Sequence, residues 1–171
     1  MSRSIRSHQH VGIVRVGHAL VLSMGLVLIQ TAHAQSSRDL DTAIKTSPEG
    51  RQGARGGCSF RVAQSDQWRR ADIDGDGQED IIAPYVTEGC GGGNYWGLSV
   101  GIFQRAGNGV KLIGSGHVEG TIEKIAVNGT RIVVQTLGYG PDDARCCPTK
   151  KSSEAFLWSN GALRPVTPGR R

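Results

Sequence analysis

The sequence predicts a mainly β domain: a small antiparallel β-sheet or sandwich-like fold, disulfide-stabilised, with room for one short N-terminal helix. Three observations predict it. From Cys58 onward, short runs rich in Val, Ile, Thr and aromatic residues are separated by Gly, Asn and Asp. Two separators are Asn-Gly pairs between β-prone flanks, Asn128-Gly129 and Asn160-Gly161. A type I′ hairpin turn needs φ > 0 at both central positions, which Asn and Gly tolerate best. No segment after Gly57 carries apolar residues at helical spacing.

Taken in order, residues 1–34 read as a signal peptide. They hold Arg3, Arg6 and Arg15, no acid, an apolar run Ala19–Ile29, and Ala32-His33-Ala34 before Gln35. The apolar run is shorter than the about 18–20 residues a bilayer span needs, so no transmembrane segment is expected after cleavage. No twin Arg and no Cys just past the cleavage point argue against Tat export and lipidation. Residues 35–57 are polar and Gly-rich: Leu40 and Ile44 lie one helical turn apart, allowing a short helix near Arg38–Lys45, and Ser47–Gly57 reads as a linker. Residues 58–171 form a single β domain. Its strands are expected near Cys58–Ala63, Asp80–Val86, Tyr95–Gln104, Val110–Gly114, Thr121–Val127, Thr130–Leu137, Glu154–Trp158 and Ala162–Val166.

Charge narrows the partners. The chain carries 20 Lys+Arg against 15 Asp+Glu, a surplus of +5. Three of those bases leave with the leader, and Arg170 and Arg171 make up what remains. Nucleic-acid binding thereby loses its best support, and no nucleic-acid partner is expected. Four of the five His lie before the cleavage point, so a site built from several histidines is excluded and His117 stands alone.

The most informative stretch is Asp72-Ile73-Asp74-Gly75-Asp76-Gly77-Gln78-Glu79-Asp80. Alternate carboxylates at Asp72, Asp74 and Asp76, a bend at Gly77 and a fourth carboxylate at Asp80 can converge on one cation. Calcium takes six to eight oxygens in flexible geometry, and the Gln78 carbonyl and water would complete its shell. Without a cation the same carboxylates repel one another. The loop is not a full EF-hand, because the twelfth position from Asp72 is Ala83. DxDGDGxxD running into Ile81-Ile82 resembles the calcium loop of FG-GAP/VCBS repeats. That resemblance implies side-chain ligands Asp72, Asp74, Asp76 and Asp80 and a carbonyl ligand at Gln78. It covers residues 71–83 alone, and one loop does not make a propeller.

Export permits disulfides, and Cys58, Cys90, Cys146 and Cys147 are an even set. Adjacent cysteines close a strained ring, so the expectation is that Cys58 and Cys90 each bond one member of the Cys146–Cys147 pair, in an order left open. A redox or metal-binding Cys-Cys pair is the alternative, without CxxC spacing or nearby His. The segment Gly140-Pro141-Asp142-Asp143-Ala144-Arg145-Cys146-Cys147-Pro148-Thr149 is similar to the GPxDxxCCP(S/T) stretch of small bacterial periplasmic proteins and LppP/LprE-type lipoproteins. In that group, too, an acidic loop, a Gly-rich turn and an apolar strand precede the Cys-Cys-Pro segment. The resemblance implies a fold and a compartment and carries no activity.

Tests for catalysis are mostly negative. Gly97-Leu98-Ser99-Val100-Gly101 matches G-x-S-x-G, but Ser99 falls inside an expected strand and no acid lies between it and His117. Tyr95-Trp96, after a Gly-rich turn, can stack on a sugar ring or a peptide, or simply cover the edge of the core. The leading expectation is an exported calcium-stabilised module of the bacterial cell envelope, periplasmic or secreted, that binds a protein or glycan. The alternatives are an envelope hydrolase using carboxylates such as Asp142 and Asp143, and a protein-binding inhibitor or immunity-type protein. Convergence of Asp142, Glu119 or Glu123 on one cleft would separate them.

Overall fold

A computed structural model describes residues 36–144 and 146–166. The leader expected over residues 1–34 lies outside them. The chain is mainly β, with two antiparallel sheets and two short helices.

The helices come first. Helix α1 spans Ser37–Thr46, where Ser36 accepts from the Asp39 N–H while the Asp39 carboxylate accepts from the Ser36 N–H, a reciprocal capping box. Helix α2 spans Pro48–Arg55, with Ser47 as its cap and Pro48 at the first position, where a missing N–H costs nothing. The linker expected over Ser47–Gly57 is therefore corrected. Ser-Pro-Glu starts a second helix there, and the polar composition reflects its outward face. Leu40, Ala43 and Ile44 of α1 are buried.

The first sheet contains β1 (Ser59–Val62), β2 (Arg69–Ala71), β3 (Asp80–Glu88), β4 (Trp96–Ala106) and β5 (Gly109–Val118). Its order is β1-β3-β4-β5, with β2 and β1 sharing one edge of β3. Buried Pro84 sits in mid-β3. Its C=O accepts from the Ala63 N–H at 2.9 Å, toward the edge where β1 gives way to β2. In extended backbone its N lies on that same side, so the missing donor falls at the gap between the two short strands. The second sheet is β6 (Thr121–Asn128), β7 (Arg131–Gly138), β8 (Lys150–Ser159) and β9 (Ala162–Val166), in that order.

Three layers result. One face of the first sheet packs on α1, through Val62, Ile81, Ala83, Tyr85 and Phe103 against Leu40, Ala43 and Ile44. The other packs on the second sheet, with Ile82, Val100, Ile102 and Val118 meeting Ile125, Ile132, Val134 and Phe156. Burial on both faces explains why β3 reads as a continuous apolar run rather than an alternation. Gly116 of β5 lets the sheets approach: a Cβ there would lie 2.5 Å from the buried Phe156 ring.

The hairpins match the expectation in part. Asn160 (φ 51°) and Gly161 (φ 71°) join β8 to β9 as the expected turn with both residues at positive φ. At the other, Asn128 pairs with Arg131, so the turn residues are Gly129 and Thr130 and Gly129 alone has positive φ (54°). Gly at the first central position is the II′ arrangement.

The cysteine pairing is a correction. Cys58 bonds Cys90, and Cys146 bonds Cys147. The reason lies in the ladder: Ser59 pairs with Glu88, which sets Cys58 and Cys90 side by side at one end of the first sheet. Cys146 and Cys147 belong to the β7–β8 loop of the second sheet. With a sequence separation of 32, the Cys58–Cys90 bridge stabilises by about 3–4 kcal/mol in a chain-entropy account. Non-reducing peptide mapping is expected to recover the Cys58 peptide joined to the Cys90 peptide. Recovery of either one joined to the Cys146–Cys147 peptide would contradict the ladder.

Candidate functional site

The acidic loop connects β2 to β3 and closes where Ala71 pairs with Asp80. Gly75 (φ 80°) and Gly77 (φ 84°) supply the left-handed bends that fold its carboxylates inward. Asp72 accepts from the N–H groups of Gly75 (2.7 Å) and Gly77 (3.0 Å), and Asp74 accepts from the Asp76 N–H at 3.1 Å. One carboxylate oxygen each from Asp72, Asp74 and Asp80 lies within 4.8 Å of the others. These three residues can hold a metal ion.

Asp80 is the unusual member. It opens β3, is 1 % exposed, and receives the Ile73 N–H on Oδ2 at 3.1 Å. Its Oδ1 is buried with no hydrogen-bond partner among the described residues. Burial pushes its carboxyl up to about 6; the Ile73 N–H opposes that shift, and repulsion from Asp74, Asp76 and Asp72 adds to it. A buried carboxylate oxygen without a donor is costly, and a cation beside it removes the cost. The donor set is entirely hard oxygen, which suits calcium or magnesium and not a soft metal.

Of the five residues expected here, Asp72, Asp74 and Asp80 converge. Asp76 stands outside that trio: its carboxylate accepts from the Gln78 N–H at 2.8 Å and from Gln104 Nε2 at 3.0 Å. Gln104 also donates to Asp74 Oδ2. It belongs to β4, a neighbouring strand 30 residues on from Asp74, so no local pattern in the sequence marks it. Its amide draws together two carboxylates that would otherwise repel.

Other residues singled out by sequence fall elsewhere. Ser99 lies in the middle of β4, opposite Tyr85 and His117, on extended backbone and not at a strand-to-helix elbow. Tyr85 donates to Glu49 of α2, which also receives the Ser115 hydroxyl, a polar clasp between helix and sheet. Burial is the main reason its phenol is pushed well above the ordinary value.

Asp143 is used up inside its own loop. It accepts from the Gly140 N–H (2.6 Å), the Thr149 N–H and the Thr149 hydroxyl (both 2.7 Å), tying the ends of the Cys-Cys segment together. Those bonds hold its carboxyl below the usual range. Asp143 thus fastens its own loop.

A second feature sits at the mouth of the sandwich. A cleft of about 600 Å³ is bordered by Trp96, His117, Glu119, Tyr139, Lys150 and Glu154. Glu119 reaches it; Asp142 and Glu123 do not border it. Trp96 is 55 % exposed and borders this cleft.

Among the described residues no helix is long and apolar enough to cross a membrane, and the Cys58–Cys90 bond fits an oxidising, exported environment. Comparison with family models, with curated proteins and with solved structures finds no match to this chain, so its chemistry rests on the loop and the cleft themselves.

Proposed function

We propose that the protein is an exported, calcium-stabilised β module of the bacterial cell envelope, periplasmic or secreted, whose work is binding rather than turnover. The observation that carries the calcium assignment is the buried, unpartnered Asp80 oxygen grouped with Asp72 and Asp74. The DxDGDGxxD resemblance to FG-GAP/VCBS loops supports the same ion. Calcium fits better than magnesium because a flexible carboxylate loop suits its larger, variable shell, whereas magnesium demands a small octahedron. The ion ties β2 to β3 at the base of the loop, so its effect is on the fold.

Calcium that binds the folded loop and not the unfolded chain adds about 2.7 kcal/mol at a hundredfold excess over Kd. The mature protein is expected to melt on the order of 10 °C higher in millimolar calcium than in chelator. Asp72→Asn with Asp74→Asn is expected to remove most of that difference. Equal melting temperatures in calcium and in chelator would overturn the assignment.

A further inference from the structure

The cleft at the mouth of the sandwich is built from positions that face inward. Along the second sheet, the paired positions Ile132–Phe156 and Val134–Glu154 are followed by Thr136–Ser152 and Gly138–Lys150. Side chains alternate along a strand, so 132, 134, 136 and 138 share one face, as do 150, 152, 154 and 156. Ile132, Val134 and Phe156 on that face form the core against the first sheet. The same row then turns polar at Glu154, Ser152 and Lys150, within one strand. On the first sheet the inward row Ile102, Val100 and Leu98 runs on to Trp96. An aromatic ring therefore stands on one sheet and a polar row on the other, at the end where the core stops.

Lys150 and Ser152 are exposed where β8 runs past the core, so their polar groups are open to a ligand in the cleft. The polar wall offers acceptors at Glu154 and Glu119 and donors at Lys150 and Ser152. Glu154 is fixed in place by the Glu119 N–H at 2.7 Å. Two carboxylates and one ammonium give no single dominant charge, which disfavours a strongly ionic ligand. A molecule with a flat apolar face and hydroxyls around its edge satisfies both walls: the ring stacks on the indole, and the hydroxyls donate to and accept from the row opposite. About 600 Å³ lies within the usual range of ligand clefts.

We infer that this cleft binds a neutral oligosaccharide of β-linked pyranose rings, whose equatorial hydroxyls leave the ring faces free for Trp96. The inference deepens the proposed envelope-binding role and rests on it. Calcium-loaded mature protein is titrated with cellotetraose and with chitotetraose, and with a neutral tetrapeptide as the competing class, while the indole N–H resonances are followed by NMR. At least one saccharide is expected to shift the Trp96 resonance saturably, and the peptide is not. Trp96→Ala is expected to weaken that saccharide at least tenfold and Trp96→Phe to weaken it less, with Glu154→Gln as an independent variant on the opposite wall. No shift with either saccharide, a peptide that shifts Trp96 in their place, or binding unchanged in both Trp96→Ala and Glu154→Gln would overturn the inference. Melting of the same samples in calcium and in chelator separates the two readings. A retained calcium difference without saccharide binding overturns the ligand alone, and a lost difference overturns the calcium module.

Discussion

A chain beginning at Cys58 is expected not to fold. Residues 36–55 form the third layer, and removing them lays bare the face of the first sheet carrying Val62, Ile81, Ala83, Tyr85 and Phe103. It also removes Glu49, the acceptor for the Tyr85 and Ser115 hydroxyls, and leaves the Tyr85 phenol without that partner. Leu40→Ala tests the same layer more gently. Leu40 is fully buried, and a cavity of that kind costs about 2–5 kcal/mol. Circular dichroism and chemical denaturation report both outcomes. A truncated chain that stays soluble and melts cooperatively near the temperature of the mature protein would show that the helices are an appendage.

Gly50→Ala is the second large effect, and its sign runs against helix propensity. In an open helix interior, Ala is more favourable than Gly by about 1 kcal/mol. Gly50 lies in the first turn of α2, pressed on the end of α1, and a Cβ there would stand 1.8 Å from the Ile44 carbonyl oxygen. That oxygen is backbone and also accepts from the Ser47 N–H and hydroxyl, so it has nowhere to yield. The methyl must displace α2, at about 3 kcal/mol or more, the upper end of overpacking costs. Gly53→Ala is a useful comparison, because its Cβ would meet the Phe60 ring, a side chain that is only partly buried. Gly50→Ala melting at or above the wild-type temperature would contradict the close packing of the two helices.

What could be read beforehand follows the range of the interactions. The strands from Asp80 onward were visible because each carries its own β pattern and turn chemistry, and Asn160-Gly161 needed nothing beyond its own two residues. Asn128-Gly129 missed by one residue, since the ladder register and not the dipeptide decides which pair turns. Helix α2 looked like a linker because Arg51, Gln52 and Arg55 face water, and its contribution is made by a glycine and a carboxylate rather than by apolar bulk. The cysteine pairing depended on which strand lies beside β1, a long-range fact.

At the acidic loop, Asp72, Asp74 and Asp80 were legible from spacing, because a short loop constrains its own carboxylates. Gln104 was not, because it arrives from β4. Nor was the special standing of Asp80, whose burial comes from the strands around it. The polar inward row of β8 left a trace in Lys150-Lys151-Ser152-Ser153-Glu154, read beforehand as a strand starting only at Glu154. Its meaning needed the partner sheet and Trp96.

Calcium binding to the folded chain is the most direct test of the account. Mature protein stripped with chelator and dialysed is titrated with calcium, and bound ion is counted by equilibrium dialysis. One calcium per chain is expected, and Asp80→Ala, which removes the buried oxygen, is expected to bind none while both disulfides persist. No bound calcium in the folded wild-type chain, or one ion still held after Asp80→Ala with Asp72→Ala, would contradict it.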